Sequence, residues 1–398
     1  MSEDRPAVAG GTPIRSEPLA FAQPDLGPEE EEAVVQVLRS GWLSTGPRTA
    51  ELEQGFAQLA GTRAAVATNS WTAGMHLLLR AMGIGPGHEV VMPAVTFPPT
   101  LNAVLHAGAV PVLADVSPDR LSLDAQAADA VCTPRTRALL PVHLYGWPCD
   151  MDAIGALARR RGLLVLEDAA QGVGARYRGR HVGSLGDGGV FSLYVTKNVT
   201  AGEGGMITTD RADLVTRLRT ERLHGIDLDA SRREGPEFTH WEAVAPGWKY
   251  NLTDLSAAIG LAQLAKLPRV LARRRALDAR YRAGLAELPA FIPVEGPEGG
   301  ENAAHLFPVL LRPGALRIGR DEVLGALRAE GIGVGVHFRA LPFHRHVRET
   351  LGVGPEDVPV ASEASLRLLS LPIHTRMDER DVDDVLAALA RIARFFAA

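Results

Sequence analysis

Cysteine is scarce in this chain. Only Cys132 and Cys149 occur among 398 residues, and their spacing fits neither a zinc site nor a disulfide framework. Reduced thiols and a cytoplasmic location are expected. No group of His, Cys, Asp and Glu has metal-ligand spacing, so no metal is assigned. No run reaches the roughly 18 apolar residues of a membrane span, and the opening stretch Met1–Gly11 lacks the basic-then-apolar order of a secretion signal. Charge of one sign is also missing in excess. A net charge of −5 argues against a broad nucleic-acid surface. The arginine runs Arg159–Arg161 and Arg273–Arg275 fall in helix-like segments and read as solvated faces, with steering of a phosphorylated substrate as the other use. No internal repeat or low-complexity linker interrupts the chain.

What is present is ordinary for a globular enzyme: 46% apolar and 22% charged residues, with mean hydropathy near zero. The length exceeds one compact core and implies two domains. Residues 1–24, rich in Pro, Gly and Ala, read as an extended arm. Gly27-Pro28 followed by Glu29–Glu32 marks a helix start, since proline suits the first turn and acids complement the helix dipole. A turn, Ser40–Pro47, leads into a helix over Thr49–Leu59.

From Ala64 onward, short apolar runs (Ala64–Thr68, Glu89–Met92, Val110–Ala114, Ala138–Val142, Leu163–Glu167) alternate with helical segments (Trp71–Met82, Pro98–His106, Asp124–Val131, Met151–Arg161). Such alternation predicts a mainly parallel sheet covered on both faces. The stretch Val190–Thr209 reads as a hairpin at the edge of that sheet. Beyond Asn251 the pattern changes. Leu252–Leu288 is a long helical stretch that Pro268 should break or kink. His305–Leu311 and Ile332–Phe338 read as strands, and Asp321–Glu330, Ser362–Leu369 and Asp378–Phe396 as helices. The expected division is an arm over 1–24, a large α/β domain over 25–254 and a smaller α+β domain over 255–398.

Two features suggest chemistry. The run Leu163–Glu167 delivers Asp168 at a strand's carboxyl end, where open α/β sheets bind ligands; the residue either serves such a site or caps the following turn. About thirty residues on, Lys197 sits in a loop before a glycine-rich turn, Gly202–Gly205. Alone it would be a solvated surface charge. A strand-end acid paired with a loop lysine suits pyridoxal phosphate (PLP), which needs a lysine to carry it as a Schiff base and a carboxylate to keep its ring nitrogen protonated.

Seven stretches, in order, carry a resemblance over nearly the whole chain: SGWLSTGP (Ser40–Pro47), NSWTAGMHL (Asn69–Leu77), TPRTRALLPVHLYG (Thr133–Gly146), EDAAQGVGA (Glu167–Ala175), TKNVTAGEGG (Thr196–Gly205), WKYNLTD (Trp248–Asp254) and GVHFRALPFH (Gly335–His344). With these the sequence resembles the DegT/DnrJ/EryC1/StrS sugar aminotransferases and, among them, the UDP-4-amino-4-deoxy-L-arabinose–oxoglutarate aminotransferases. The resemblance implies a fold-type-I PLP enzyme whose large domain has a mainly parallel seven-stranded sheet between helices, with a smaller α+β C-terminal domain against which the arm packs. It implies PLP, or its amine form PMP, as cofactor, a nucleotide-linked ketosugar and an amino-acid donor as partners, and a homodimer with shared active sites.

Carried over residue by residue, Lys197 and Asp168 become the catalytic pair. Gln171 matches a contact to the cofactor's ring hydroxyl. Ser70, Trp71 and Thr72 match a phosphate-binding turn, where a strand ending at Thr68 opens into a helix whose free N–H groups favour anions; ordinary capping by Ser70 and Thr72 would look the same. Ser192 matches a second phosphate contact and Asn251 one made to the neighbouring subunit's cofactor, although Asn251 could equally cap the long helix. Phe97 is either a core aromatic or, as the resemblance implies, a group stacked on the cofactor ring. Trp42, Tyr194, Lys249, Tyr250, His337 and Phe338 become substrate-contact candidates. His143 sits at the end of an apolar run, where a satisfied core histidine is the commoner outcome.

The stretch around the lysine combines two patterns. TKNVTAGEGG is similar to members that aminate C4 of a nucleotide-linked sugar, whereas Tyr194 is similar to members acting at C3; C4 is favoured. L-Glutamate is the expected donor, with glutamine as the alternative. A role in antibiotic or cell-surface polysaccharide biosynthesis would follow. Other outcomes on the same fold are amination of a carbocyclic or other ketone, a PLP/PMP-dependent ketosugar dehydratase, or a non-catalytic regulatory protein. Lys197 counts against the dehydratases, which carry histidine there, and the intact Lys197, Asp168 and Gln171 set counts against a silent protein.

Overall fold

Strands buried on both faces must be apolar along their whole length, and the short runs beginning at Ala64 meet that demand. The computed structural model describes residues 5–227 and 240–398, so the first four residues of the expected arm lie outside it. Helices α1 (Pro28–Ser40) and α2 (Pro47–Ala60) each begin on proline behind a glycine. They lead to β1 (Ala64–Thr68), α3 (Trp71–Ala81), β2 (Glu89–Pro93), α4 (Pro98–His106), β3 (Val110–Ala114), α5 (Ala125–Val131), β4 (Thr136–Leu139), α6 (Met151–Arg161) and β5 (Leu164–Asp168). Two short strands, β6 (Arg176–Tyr177) and β7 (Arg180–His181), precede β8 (Gly188–Ser192), β9 (Gly205–Thr209) and α7 (Ala212–Glu221), a helix that the sequence pattern does not announce.

The main sheet has seven strands in the order β1-β9-β8-β5-β4-β2-β3. Only β9 runs against the others, pairing antiparallel with β1 and with β8. The β8–β9 hairpin therefore lies inside the sheet, not at its edge as expected. Its glycine-rich strands are fully buried because β1 takes up the free side of β9. This topology aims the carboxyl ends of β1, β5 and β8 in one direction and so brings Thr68, Asp168 and Ser192 to one end of the sheet.

Helix α8 (Asp254–Leu285) runs without a break through Pro268. The proline is exposed, so its missing N–H and bulky ring fall on the solvent side, where a helix can open slightly. By length and composition α8 is the one candidate for crossing a membrane among the described residues. Here it is a scaffold: it packs on α1 and α2 and buries Leu267, Val270, Leu277 and Tyr281, while Arg273 and Arg280 pair with Glu379 and Asp383.

The C-terminal part has its own antiparallel sheet, β10 (Phe291–Pro293), β12 (Phe307–Leu311) and β13 (Leu368–Leu371), with β12 in the middle; β11 (Gly300–Glu301) pairs instead with β6. Helices α9 (Arg320–Ala329), α10 (Arg345–Leu351), α11 (Pro359–Arg367) and α12 (Glu379–Phe395) complete it. Its core centres on Tyr281 and Phe307, whose rings lie 4.7 Å apart.

Two expectations fail here. The expected helix Ser362–Leu369 stops at Arg367, and Leu368–Leu371 forms β13, because this short, wholly buried run fits a strand as well as a helix end and pairs with β12. Ile332–Phe338 forms only isolated bridges, to Leu19 and Ser370. The N-terminal arm crosses it so closely that a Cβ on Gly333 would lie 2.6 Å from the Leu19 carbonyl oxygen. The arm is also held by Glu330, which is fully buried and accepts the N–H groups of Ala7 and Ile14 at 2.9 Å each.

Candidate active site

At the carboxyl end of the sheet a cleft of about 210 Å³ gathers ten of the fifteen candidate residues: Ser70, Trp71, Thr72, Phe97, Asp168, Gln171, Ser192, Tyr194, Lys197 and Phe338. Glu203 and Thr100, which no sequence pattern singles out, join them.

Each is placed by its local structure. Ser70 is the N-cap of α3, its side chain accepting the Ala73 N–H. Gly74 N–H bonds back to the Ser70 carbonyl, which leaves the Trp71 and Thr72 N–H groups without a protein acceptor among the described residues. Trp71 turns its ring into the core, and its indole donates to the Val190 carbonyl at 2.9 Å. The bulky residue thus pins the helix start to β8, and only its backbone serves the anion turn. Ser192, at the end of β8, accepts the Tyr194 N–H at 3.3 Å.

Asp168 is almost fully buried. Burial pushes its carboxyl up to about 6, opposed by the Ala170 N–H, the Thr100 hydroxyl and the charge of Lys197. Lys197 keeps part of its surface open to the cleft, yet the protein around its amine withholds water and pushes it down to about 8, with Asp168 pulling the other way. The two groups face each other closely enough to stabilise one another's charge. Gln171 spends its carbonyl oxygen on the Tyr145 N–H, and its amide nitrogen takes no partner among the described residues. At the mouth, Phe97 is 54% exposed and stacks on Phe338 with ring centres 5.2 Å apart. That exposure argues against a plain core aromatic.

Five candidates lie elsewhere. His337 stands behind Phe338, stacked on Phe21 at 5.1 Å and bonded through Nδ1 to Ser370 Oγ at 3.0 Å; burial and the charge of Lys197 lower it to about 4. Tyr250 stacks on Trp248 and meets His76 at 3.2 Å. Trp42 donates to the Thr45 carbonyl inside its own turn. Lys249 and Asn251 line a second, larger cavity of about 540 Å³ with Ser44–Pro47, Arg219 and Arg222. Asn251 does not cap α8, because Thr253 does. It donates to Thr45 Oγ1 at 2.7 Å, and Asp254 accepts the N–H groups of Gly46, Arg48 and Thr49 at the start of α2.

His143 is a satisfied core residue. Its Nδ1 accepts the Cys149 N–H at 3.0 Å, so its Nε2 donates to Glu167 at 2.9 Å. Burial works against the Glu167 charge, but His143 and the N–H groups of Gly183 and Gly186 outweigh it and hold the carboxyl below its usual range. The pair sits on the sheet face opposite Asp168 and locks the loop after β7.

Comparison with known proteins extends this picture. The model of the DegT/DnrJ/EryC1/StrS aminotransferase family matches residues 24–390. Among solved structures, the chain is similar to Spr1654 of Streptococcus pneumoniae, described as a sugar aminotransferase and seen in its PMP form, with TM-score 0.89 and 30% identity over 95% of this chain and 99% of that one. It is similar to DesI, seen with its TDP-sugar product, with TM-score 0.85 and 34% identity over 96% and 95% of the two chains. DesV of S. venezuelae aligns with TM-score 0.84 and 35% identity over 92% and 94%.

Proposed function

The chain belongs to the DegT/DnrJ/EryC1/StrS aminotransferase family, and from that premise we propose that it transfers an amino group from an amino acid, L-glutamate by preference, to the C4 keto group of a nucleotide-linked sugar. It is a PLP-dependent sugar aminotransferase. The observation that carries the reading is the convergence, in one cleft, of Lys197, the buried Asp168 and the open N-terminus of α3.

The residues present fit the cofactor. The unpaired N–H groups of Trp71 and Thr72, with the hydroxyls of Ser70 and Ser192, suit its phosphate; Asp168 suits a protonated ring nitrogen, Gln171 the ring hydroxyl, and Phe97 a ring face. When bound, PLP supplies an aldehyde that takes up amino groups and a ring that stores carbanion electrons. The protein does the rest. Asp168 would favour positive charge on the ring nitrogen by holding its own negative charge beside it. Lys197, with an amine lowered to about 8, can hold or release a proton at Nζ near neutral pH, as a general acid–base requires. Phe97 and Phe338 narrow the mouth and limit water.

Two further parts of the proposal concern assembly and regiochemistry. Lys249 and Asn251 would complete the site of a second copy, giving a cytoplasmic homodimer. Tyr194, 44% exposed at the cleft, favours C3 amination as a second reading. Incubating the holoenzyme with 3-keto and 4-keto nucleotide sugars and either glutamate or glutamine, with mass detection of the product, tests the regiochemistry and the donor. Amination of a 4-keto sugar is expected, and amination of 3-keto substrates alone would transfer the assignment to C3. No aminated product from any keto sugar would overturn the reading.

A further inference from the structure

Asp168 has a second line of contacts along one wall of the cleft. Thr100, in the first turn of α4, places Oγ1 2.9 Å from Asp168 Oδ2, and Thr96 Oγ1 lies 2.8 Å from Thr100 Oγ1. Both threonines are almost wholly buried, at 1% and 2% exposure, so water does not compete for these bonds.

Donor counting fixes their direction. An ionised carboxylate only accepts, and a hydroxyl has one hydrogen to give. Thr100 therefore donates to Asp168, and Thr96 must donate to Thr100. The chain Thr96→Thr100→Asp168 is charge-assisted at its last link and runs one way only while Asp168 is ionised. The other carboxylate oxygen accepts the Ala170 N–H at 3.1 Å. Donors from α4 and from the turn after β5 thus grip the carboxylate from two elements and set its plane. Phe97 lies three residues before Thr100, so one helix start contributes both a ring face and this grip.

We propose that Thr100, backed by Thr96, is a positioning residue that orients Asp168 and holds it ionised for a protonated ring nitrogen. The proposal rests on the reading of the cleft as a PLP site. The titratable side chains whose charge acts on Asp168 are Lys197, in the cleft, and His143, from the other face of the sheet, and neither is altered when the threonines are changed.

The test begins with cofactor-free, full-length protein carrying 13C at the aspartate γ-carbon. The Asp168 signal is identified as the one lost in Asp168→Asn. Its midpoint should lie near 6 in the wild type, rise by about one unit in Thr100→Val and return towards wild type in Thr100→Ser. Thr96→Val, which leaves the direct donor intact, should shift it the same way by less. Binding of PMP, followed by fluorescence, should then weaken about fivefold at pH 6 in Thr100→Val and change less than twofold at pH 8.5, because an upward shift empties the ionised form only on the acid side. Equal midpoints in wild type and both valine variants would overturn the proposal. Failure of the wild type to bind PMP would instead count against the functional reading, and the cofactor-free titration would still decide the role of Thr100.

Discussion

Asn198 donates its side-chain amide to the carbonyl oxygen of Ala303 at 2.9 Å. The same nitrogen reaches the Val173 carbonyl at 3.2 Å, so one buried amide ties the Lys197 loop both to the turn after Asp168 and to the segment entering the C-terminal sheet. Arg274 of α8 holds the far side of that segment through the Ala304 and His305 carbonyls, each at 3.1 Å.

Removing this tether should loosen Lys197 and destabilise the fold together. Asn198→Ala leaves two buried carbonyls short of a donor, which costs about 1–3 kcal/mol. Asn198→Asp should be worse, because a carboxylate would face those carbonyl oxygens. Urea unfolding and the rate of cofactor attachment, measured on the same preparations, check this. Wild-type values of both in Asn198→Ala would make the tether dispensable.

Lys197 should be the residue that carries the cofactor. Borohydride reduction and peptide mapping are expected to place the adduct there, and an adduct on another lysine would defeat the assignment. The pH dependence has a defined sign. With its amine pushed down to about 8, roughly a quarter of the side chain is neutral at pH 7.5, against about one in a thousand for an ordinary lysine. Attachment to the cofactor-free protein should therefore speed up as pH rises through about 8. Asp168 raises that midpoint through its charge, so Asp168→Asn should move it to lower pH.

Much of this site is legible in sequence because its residues sit at strand ends and helix starts, and those are set by local pattern. Asp168 follows an apolar run, and Ser70 opens a helix directly after another. What escaped depends on partners distant in the chain. The interior place of β9 is decided by β1, some 140 residues earlier in the numbering. Thr100 looks like any hydroxyl in a first helical turn until β5 brings Asp168 against it. The run at Leu368–Leu371 fits a helix end or a strand, and only the neighbouring β12 selects the strand.

Asp168→Asn should leave cofactor binding partly intact and slow transfer of the amino group by orders of magnitude. The amide fits the same space but holds no charge beside the ring nitrogen, so the ring's capacity to store electrons falls. Stopped-flow measurement of the half-reaction with glutamate is the check. A change below about tenfold, roughly 1.4 kcal/mol of barrier, would make Asp168 a structural residue.

The position of Asn251 bears on assembly. The Asn69 N–H donates to the Tyr250 carbonyl at 2.7 Å, and the Asn69 side chain to the Lys249 carbonyl at 3.2 Å. The segment 249–251 thus runs directly beside the anion turn. Its Lys249 and Asn251 side chains nevertheless line the second cavity with Ser44–Pro47, not the cleft of Lys197. Within one subunit the helix start at Ser70 offers two free N–H donors to a doubly charged phosphate, so a further donor from a second copy would complete the clamp. Mixing Lys197→Ala subunits with Asn251→Asp subunits tests this. Each parent should be nearly inactive, and the mixture should regain activity, because one site of the heterodimer then combines the intact lysine of one chain with the intact asparagine of the other. Heterodimers that form and stay inactive would place both residues in a single subunit's site, and Asn251 would then be only the residue that anchors Thr45.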